Sequence, residues 1–110
     1  METKNSIFVE TFGETPAVKV LDFFLTFDNF DYSKSQISEE TGVSRITLDK
    51  IWKELVNQKI IVKTRAIGRA DMHKLNKENP RVKVLQELSF KLASAFAEEE
   101  IEKIKRKVEA

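Results

Sequence analysis

Apolar residues recur along the chain in blocks, separated by polar stretches that carry glycine or proline. The first block, Ile7-Phe8-Val9-Glu10-Thr11-Phe12, is rich in β-branched and aromatic residues and ends at Gly13, which predicts a short strand. Thr15-Pro16 then opens a helix, because a threonine hydroxyl caps free amides and proline suits the first helical position. Val18, Leu21, Phe24 and Leu25 follow at helical spacing, and Val20, Phe23 and Phe27 widen the apolar face. Asp28-Asn29-Phe30-Asp31 reads as a turn, with Tyr32 in a one-turn strand after it.

With Ser35 as its cap, a short helix is predicted over 36–41, stopped by Gly42. Ser44 caps the next helix, which runs to about Gln58 with Leu48, Ile51 and Leu55 on one face. Ile60-Ile61-Val62-Lys63-Thr64-Arg65 and Asp71-Met72-His73-Lys74-Leu75 read as two strands about a turn at Ile67-Gly68-Arg69-Ala70. Asn79-Pro80 repeats the cap-then-proline signal. From there one helix is predicted to near the C-terminus, striped by Val82, Leu85, Leu88, Leu92, Phe96, Ile101, Ile104 and Val108.

The resulting order is strand, three helices, hairpin, long helix. The predicted class is mainly α with a small β-hairpin, with residues 1–79 as one domain and residues 80–110 as a C-terminal helix. A chain of 110 residues, 41% of them hydrophobic, holds enough apolar surface for one core and little more. The absence of cysteine excludes disulfides and thiolate chemistry. Met1-Glu2-Thr3-Lys4-Asn5 precedes no long apolar run, and no stretch approaches the roughly 18 apolar residues of a membrane span. The expectation is a cytoplasmic protein with no membrane association.

Charge changes this picture only when it is divided along the chain. Residues 1–43 hold three basic side chains against eight acidic ones, and residues 44–77 hold nine against three. Residues 78–110 balance at seven each. A near-neutral protein therefore carries a concentrated basic middle, which presents a cationic surface to an anionic polymer.

Within that middle, Gly42-Val43-Ser44 supplies in order a glycine suited to positive φ, an apolar plug and a helix cap. Ile37 before this turn, with Leu48 and Ile51 after it, provides the buried positions that fix the angle between two helices. This arrangement resembles the helix-turn-helix of winged-helix transcriptional regulators, including MarR-like and ArsR-like groups and small archaeal regulators. The resemblance covers about residues 15–76, and it departs at Ser38, where such proteins usually carry alanine.

The resemblance implies that the helix from Arg45 enters the DNA major groove. Its exposed face would carry Arg45, Ile46, Asp49, Lys50 and Lys53, with Ser44 and Thr47 near the tip. Arg45 would suit a guanine edge, and Ile46 or Thr47 a thymine methyl. Lys50 and Lys53 would suit phosphates, which position without specifying. The hairpin would be a wing, with Arg65 and Arg69 about its turn and Lys63 and Lys74 on its strands. Such a wing reaches the DNA backbone or the adjacent minor groove.

One unbroken helix over residues 80–108 would span roughly 43 Å, well beyond a compact domain. A homodimer through Leu85, Leu88, Leu92, Phe96, Ile101 and Ile104 is one way to cover its stripe, and folding back on its own domain is another. Glu98-Glu99-Glu100 interrupts the stripe, and the sequence leaves open whether Ile7–Phe12 joins the interface. His73, the single histidine, has no metal-ligand spacing around it, and the three glutamates read as a solvated face. Most of the aromatic residues, Trp52 among them, sit at core spacings. No phosphate loop and no nucleophile–base constellation is present, so neither an enzyme nor a cofactor is expected.

The best reading is a dimeric regulator that binds duplex DNA. A chromatin or DNA-partitioning protein of low specificity would differ in its ratio of specific to random binding. A winged-helix module for protein contacts is disfavoured by the basic middle.

Overall fold

The computed structural model describes residues 5–109; of Met1–Asn5, read above as lacking a leader, all but Asn5 lie outside the described residues. Five helices and one hairpin follow in order: α1 (Ile7–Phe12), α2 (Pro16–Thr26), α3 (Lys34–Thr41), α4 (Arg45–Asn57), β1 (Ile61–Ile67), β2 (Ala70–Leu75) and α5 (Pro80–Glu109).

The Ile7–Phe12 block is a helix, not the strand its composition predicts. Ser6 decides the matter: its hydroxyl oxygen accepts from the Val9 amide at 3.1 Å, and its own hydroxyl donates to Asp22 Oδ1 on α2 at 2.7 Å. The neighbours Phe8 and Val9 are both buried, which a two-residue alternation cannot achieve but a helix can. Gly13, at φ 97°, ends the helix and donates to the Val9 carbonyl at 2.7 Å.

A second correction concerns α3, whose cap is Ser33 and not Ser35. The Gln36 amide donates to Ser33 Oγ at 3.2 Å, and the Ser33 amide donates to Gln36 Oε1 at 2.8 Å. Two free amides are thus satisfied reciprocally, and the Ser-x-x-Gln spacing that does this stands in the sequence. Ser35 falls in the first turn instead, exposed.

Between α3 and α4 the chain turns as predicted. Gly42 is left-handed at φ 73°, Val43 is buried, and Ser44 caps α4 by accepting from the Thr47 amide. Ser38 proves useful at its unusual position, since its hydroxyl donates to the Val43 carbonyl at 2.6 Å and ties α3 to the turn.

β1 and β2 pair antiparallel about the two-residue turn Gly68-Arg69. The register runs Ile61↔Leu75 to Lys63↔His73, then slips, so that Arg65 faces Met72 and Thr64 has no partner in the ladder. Tyr32 adds a single bridge to His73, its amide donating to the His73 carbonyl at 2.7 Å and its carbonyl accepting from the His73 amide at 2.9 Å.

All these elements meet in one core built from Phe8, Val20, Phe24, Ile37, Leu48, Trp52, Ile61, Leu75 and Val82 with their neighbours. Val82, wholly buried, roots α5 in that core. Leu85 and Leu92 pack against it, half-buried, and α1 lies across α5 near Leu92 and Phe96. Thirty residues of helix rise roughly 45 Å, which accounts for a molecule 60 Å long and only 33 by 20 Å across. Every described residue from Ile101 onward is exposed.

The cap assignment is open to a direct check. Ser33→Ala is expected to lower the unfolding free energy in urea by about 1 kcal/mol, whereas Ser35→Ala stays within about 0.5 kcal/mol of the parent. Equal losses in the two variants would refute the assignment.

Candidate nucleic-acid interface

The turn geometry sets α4 with Leu48, Trp52 and Leu55 inward and its other face in solvent. Arg45, Asp49, Lys50 and Lys53 lie on that outer face, and Ile46 is 78% exposed at the first turn. An aliphatic side chain so exposed at a helix start contributes nothing to the core. Ser44 and Thr47 are bound to each other, hydroxyl to hydroxyl at 3.0 Å.

The basic side chains fall into two groups according to their partners. Asp49 pairs with Lys34 of α3 at 3.3 Å, and Lys63 pairs with Asp71 across the hairpin at 3.1 Å. Arg65 grips Asp31 with two bonds, Nε to Oδ2 at 2.9 Å and Nη2 to Oδ1 at 3.2 Å. Thr64, freed from the ladder by the slip in register, donates to the same Asp31 Oδ2 at 2.6 Å. The Arg65 guanidinium first, and the Thr64 hydroxyl second, hold the Asp31 carboxyl down at about 2. Arg65 therefore braces the hairpin against the loop before α3.

Lys50, Lys53, Arg69 and Lys74, by contrast, have no carboxylate within ion-pair reach among the described residues. Neither does Arg45, whose Nη1 donates to the Ser35 hydroxyl at 2.7 Å. An open cleft of about 680 Å³ separates α4 from the wing, with Arg45 and Lys34 on one side and Arg69 on the other. Its floor is Trp52 and His73. Three cations from separate elements are thus brought to one concave surface.

Sequence reasoning missed Ser33, Lys34 and Asp31, and gave Ser35 the part of a helix cap instead of a partner of Arg45. The Ser33 signal was present in Ser-x-x-Gln, whereas nothing local marks Asp31, whose partner Arg65 lies 34 residues away.

His73 is buried, its ring edge-on to Trp52 at 5.1 Å, and its Nδ1 has no hydrogen-bond partner. Burial pushes its pKa below the ordinary value of 6.5, an effect that the Asp71 carbonyl and carboxylate oppose and that Lys34 and Lys63 reinforce. Among the described residues, no three His, Asp or Glu side chains gather where they could hold a metal ion.

A left-handed glycine between two short helices, a buried plug behind it and a hairpin after the second helix define the winged helix-turn-helix fold. The sequence matches no protein-family profile and no curated protein. Solved structures of the same fold do match. ZitR of Lactococcus lactis, in the apo form of a double mutant, gives a TM-score of 0.61 at 21% identity, over 92% of this chain and 84% of that one. MepR of Staphylococcus aureus, a transcription regulator of the multidrug efflux pump MepA, gives 0.60 at 16% identity, over 91% and 78%. A possible transcriptional regulator from Methanosarcina mazei gives 0.52 at 14% identity, over 82% and 75%. At these identities the likeness establishes the fold.

The lone histidine provides a clean test of the packing beneath the cleft. Because its pKa is lower in the folded chain, the unfolded chain takes up the proton first as pH falls. Stability is therefore full above about 6.5 and declines as the pH drops through that value. Urea midpoints measured from pH 7.5 to 5 are expected to show this decline, and His73→Phe is expected to flatten it. A parent profile already flat over that range would contradict a buried neutral imidazole.

Proposed function

We propose that this protein is a transcriptional regulator that binds duplex DNA as a homodimer, with α4 in the major groove and the wing tip on the flanking backbone. The observation that carries the reading is the set of carboxylate-free cations on α4 and the wing: Arg45, Lys50, Lys53, Arg69 and Lys74. Unneutralised cations on one surface gain most from phosphates, because each contact releases condensed counterions. Ser44, Arg45, Ile46 and Thr47 occupy the part of α4 that a groove admits first, where Arg45 suits a guanine edge and Ile46 a thymine methyl.

The wing divides its labour in this reading. Arg69 and Lys74 meet phosphate, while Lys63 and Arg65, already paired with Asp71 and Asp31, fix where the wing stands. Asp49, paired with Lys34, holds the two helices of the motif together on the DNA side. The long C-terminal helix joins two copies, so that two copies of α4 address one duplex. Such a protein works in the cytoplasm, and no helix among the described residues is long and apolar enough to cross a membrane.

Fluorescence anisotropy on a labelled random duplex, titrated with salt, tests the reading. The parent is expected to bind more weakly as salt rises, and Lys50→Ala, Lys53→Ala, Arg69→Ala combined to lower the log–log slope by about one unit for each lost phosphate contact. A parent with no salt-dependent duplex binding would overturn the proposal. A selected duplex bound no better than the random one would replace the regulator by a low-specificity chromatin protein.

A further inference from the structure

The stripe facing the protein's own core is only half of what α5 carries. Leu85 and Leu92 pack on the body and Phe96 lies beside α1, with the exposed Leu88 on the same side by helical spacing. A second set, Phe90, Ser94, Ala97, Ile101, Ile104 and Val108, is spaced four, three, four, three and four residues apart. That is an uninterrupted heptad seam, with Ser94, Ile101 and Val108 at its a positions and Phe90, Ala97 and Ile104 at its d positions. At 3.6 residues per turn the two stripes point roughly 150° apart. The second is open to solvent: Phe90 is 73% exposed, Ile101 52%, Ile104 60% and Val108 79%.

We infer that this seam is the contact between two copies of the chain, in parallel and in register. The inference refines the homodimer of the reading above and needs no DNA to be true. The occupant follows from the charges beside the seam. Lys91, Glu98 and Lys105 hold the e positions, and Ala93, Glu100 and Lys107 the g positions. In a parallel pair, Glu100 of each copy meets the partner's Lys105, and Glu98 meets the partner's Ala93, so no like charges oppose. An antiparallel pair that uses all six layers sets Glu98 on Glu98, Glu100 on Glu100 and Lys91 on Lys105. Sliding that pair until Glu98 meets Lys105 and Glu100 meets Lys107 pushes Phe90 and Ser94 out of the contact.

A further observation fits. Glu100 and Lys105 are engaged within their own helix only by exposed pairs, to Lys103 at 3.5 Å and to Glu102 at 3.9 Å, which are cheap to exchange. The body lies on the far side of α5, so two bodies would flank the seam without meeting across it.

Sedimentation of the full chain, with and without seam substitutions, is the deciding experiment. The parent is expected to sediment as a dimer, and Ile101→Glu with Ile104→Glu as a particle of half that mass with unchanged Trp52 fluorescence. Lys103→Glu, on another face, is expected to stay dimeric. The chain has no cysteine of its own, so Val108→Cys reports orientation directly: a parallel pair oxidises to a linked dimer. A monomeric parent or a dimeric seam variant would overturn the seam. A dimeric Val108→Cys protein that does not cross-link would overturn its orientation. Failure of the DNA reading shows elsewhere, as a dimer that binds no duplex.

Discussion

Trp52 is the side chain on which the arrangement of this molecule turns. Its indole lies 5.7 Å from the Phe24 ring on α2 and 5.1 Å from the His73 ring on β2, and it is 4% exposed. One residue of α4 thereby touches the helix behind it and the hairpin beside it. Truncating a buried aromatic of this size costs about 3–5 kcal/mol, a large part of the stability of a small domain. Packing on this one ring ties α4, which presents Arg45 and Ile46, to the hairpin that the Asp31–Arg65 pair braces from its other side. A charged surface is thus aimed from an apolar interior.

The turn between α3 and α4 shows how little backbone freedom that aim tolerates. Gly42 takes the left-handed conformation, Val43 fills the corner, and the Ser38 hydroxyl bonds the Val43 carbonyl. Apolar plug and hydrogen bond act on the same two residues. The serine that weakens the resemblance to other helix-turn-helix sequences is, in this chain, part of what stiffens the corner.

Much of this could be read from the chain, because it depends on neighbours in sequence. Thr15-Pro16, Gly42-Val43-Ser44, the hairpin and Asn79-Pro80 are local devices, and each lies where its residues predict. Ile7–Phe12 misled because a six-residue apolar run has too little length to show a period, and Ser6, outside the run, decides it. The α3 cap was legible and misread by two positions, since Ser33 and Ser35 both lie within four residues of the apolar Ile37 and only Ser33 has its glutamine three residues on. The candidate interface was legible as a list of residues on α4 and the hairpin. Its division into paired and free cations was not, because Asp31, Asp71 and Lys34 reach their partners only through the fold.

An acidic residue beside a surface proposed to meet a polyanion ordinarily works against it. Asp31 is such a residue, yet its two oxygens collect Arg65 and the unladdered Thr64, on the strand that leads to the wing tip. In the proposed reading it acts as a rudder: it adds a repulsive charge and in return removes freedom from a lever that must otherwise be ordered when it lands on DNA. The two effects have opposite signs and respond differently to the solution. Salt screens the repulsion, while the loss of freedom is already spent before any partner arrives. A wing held this way trades attraction for readiness, and the balance shifts toward readiness as ionic strength rises.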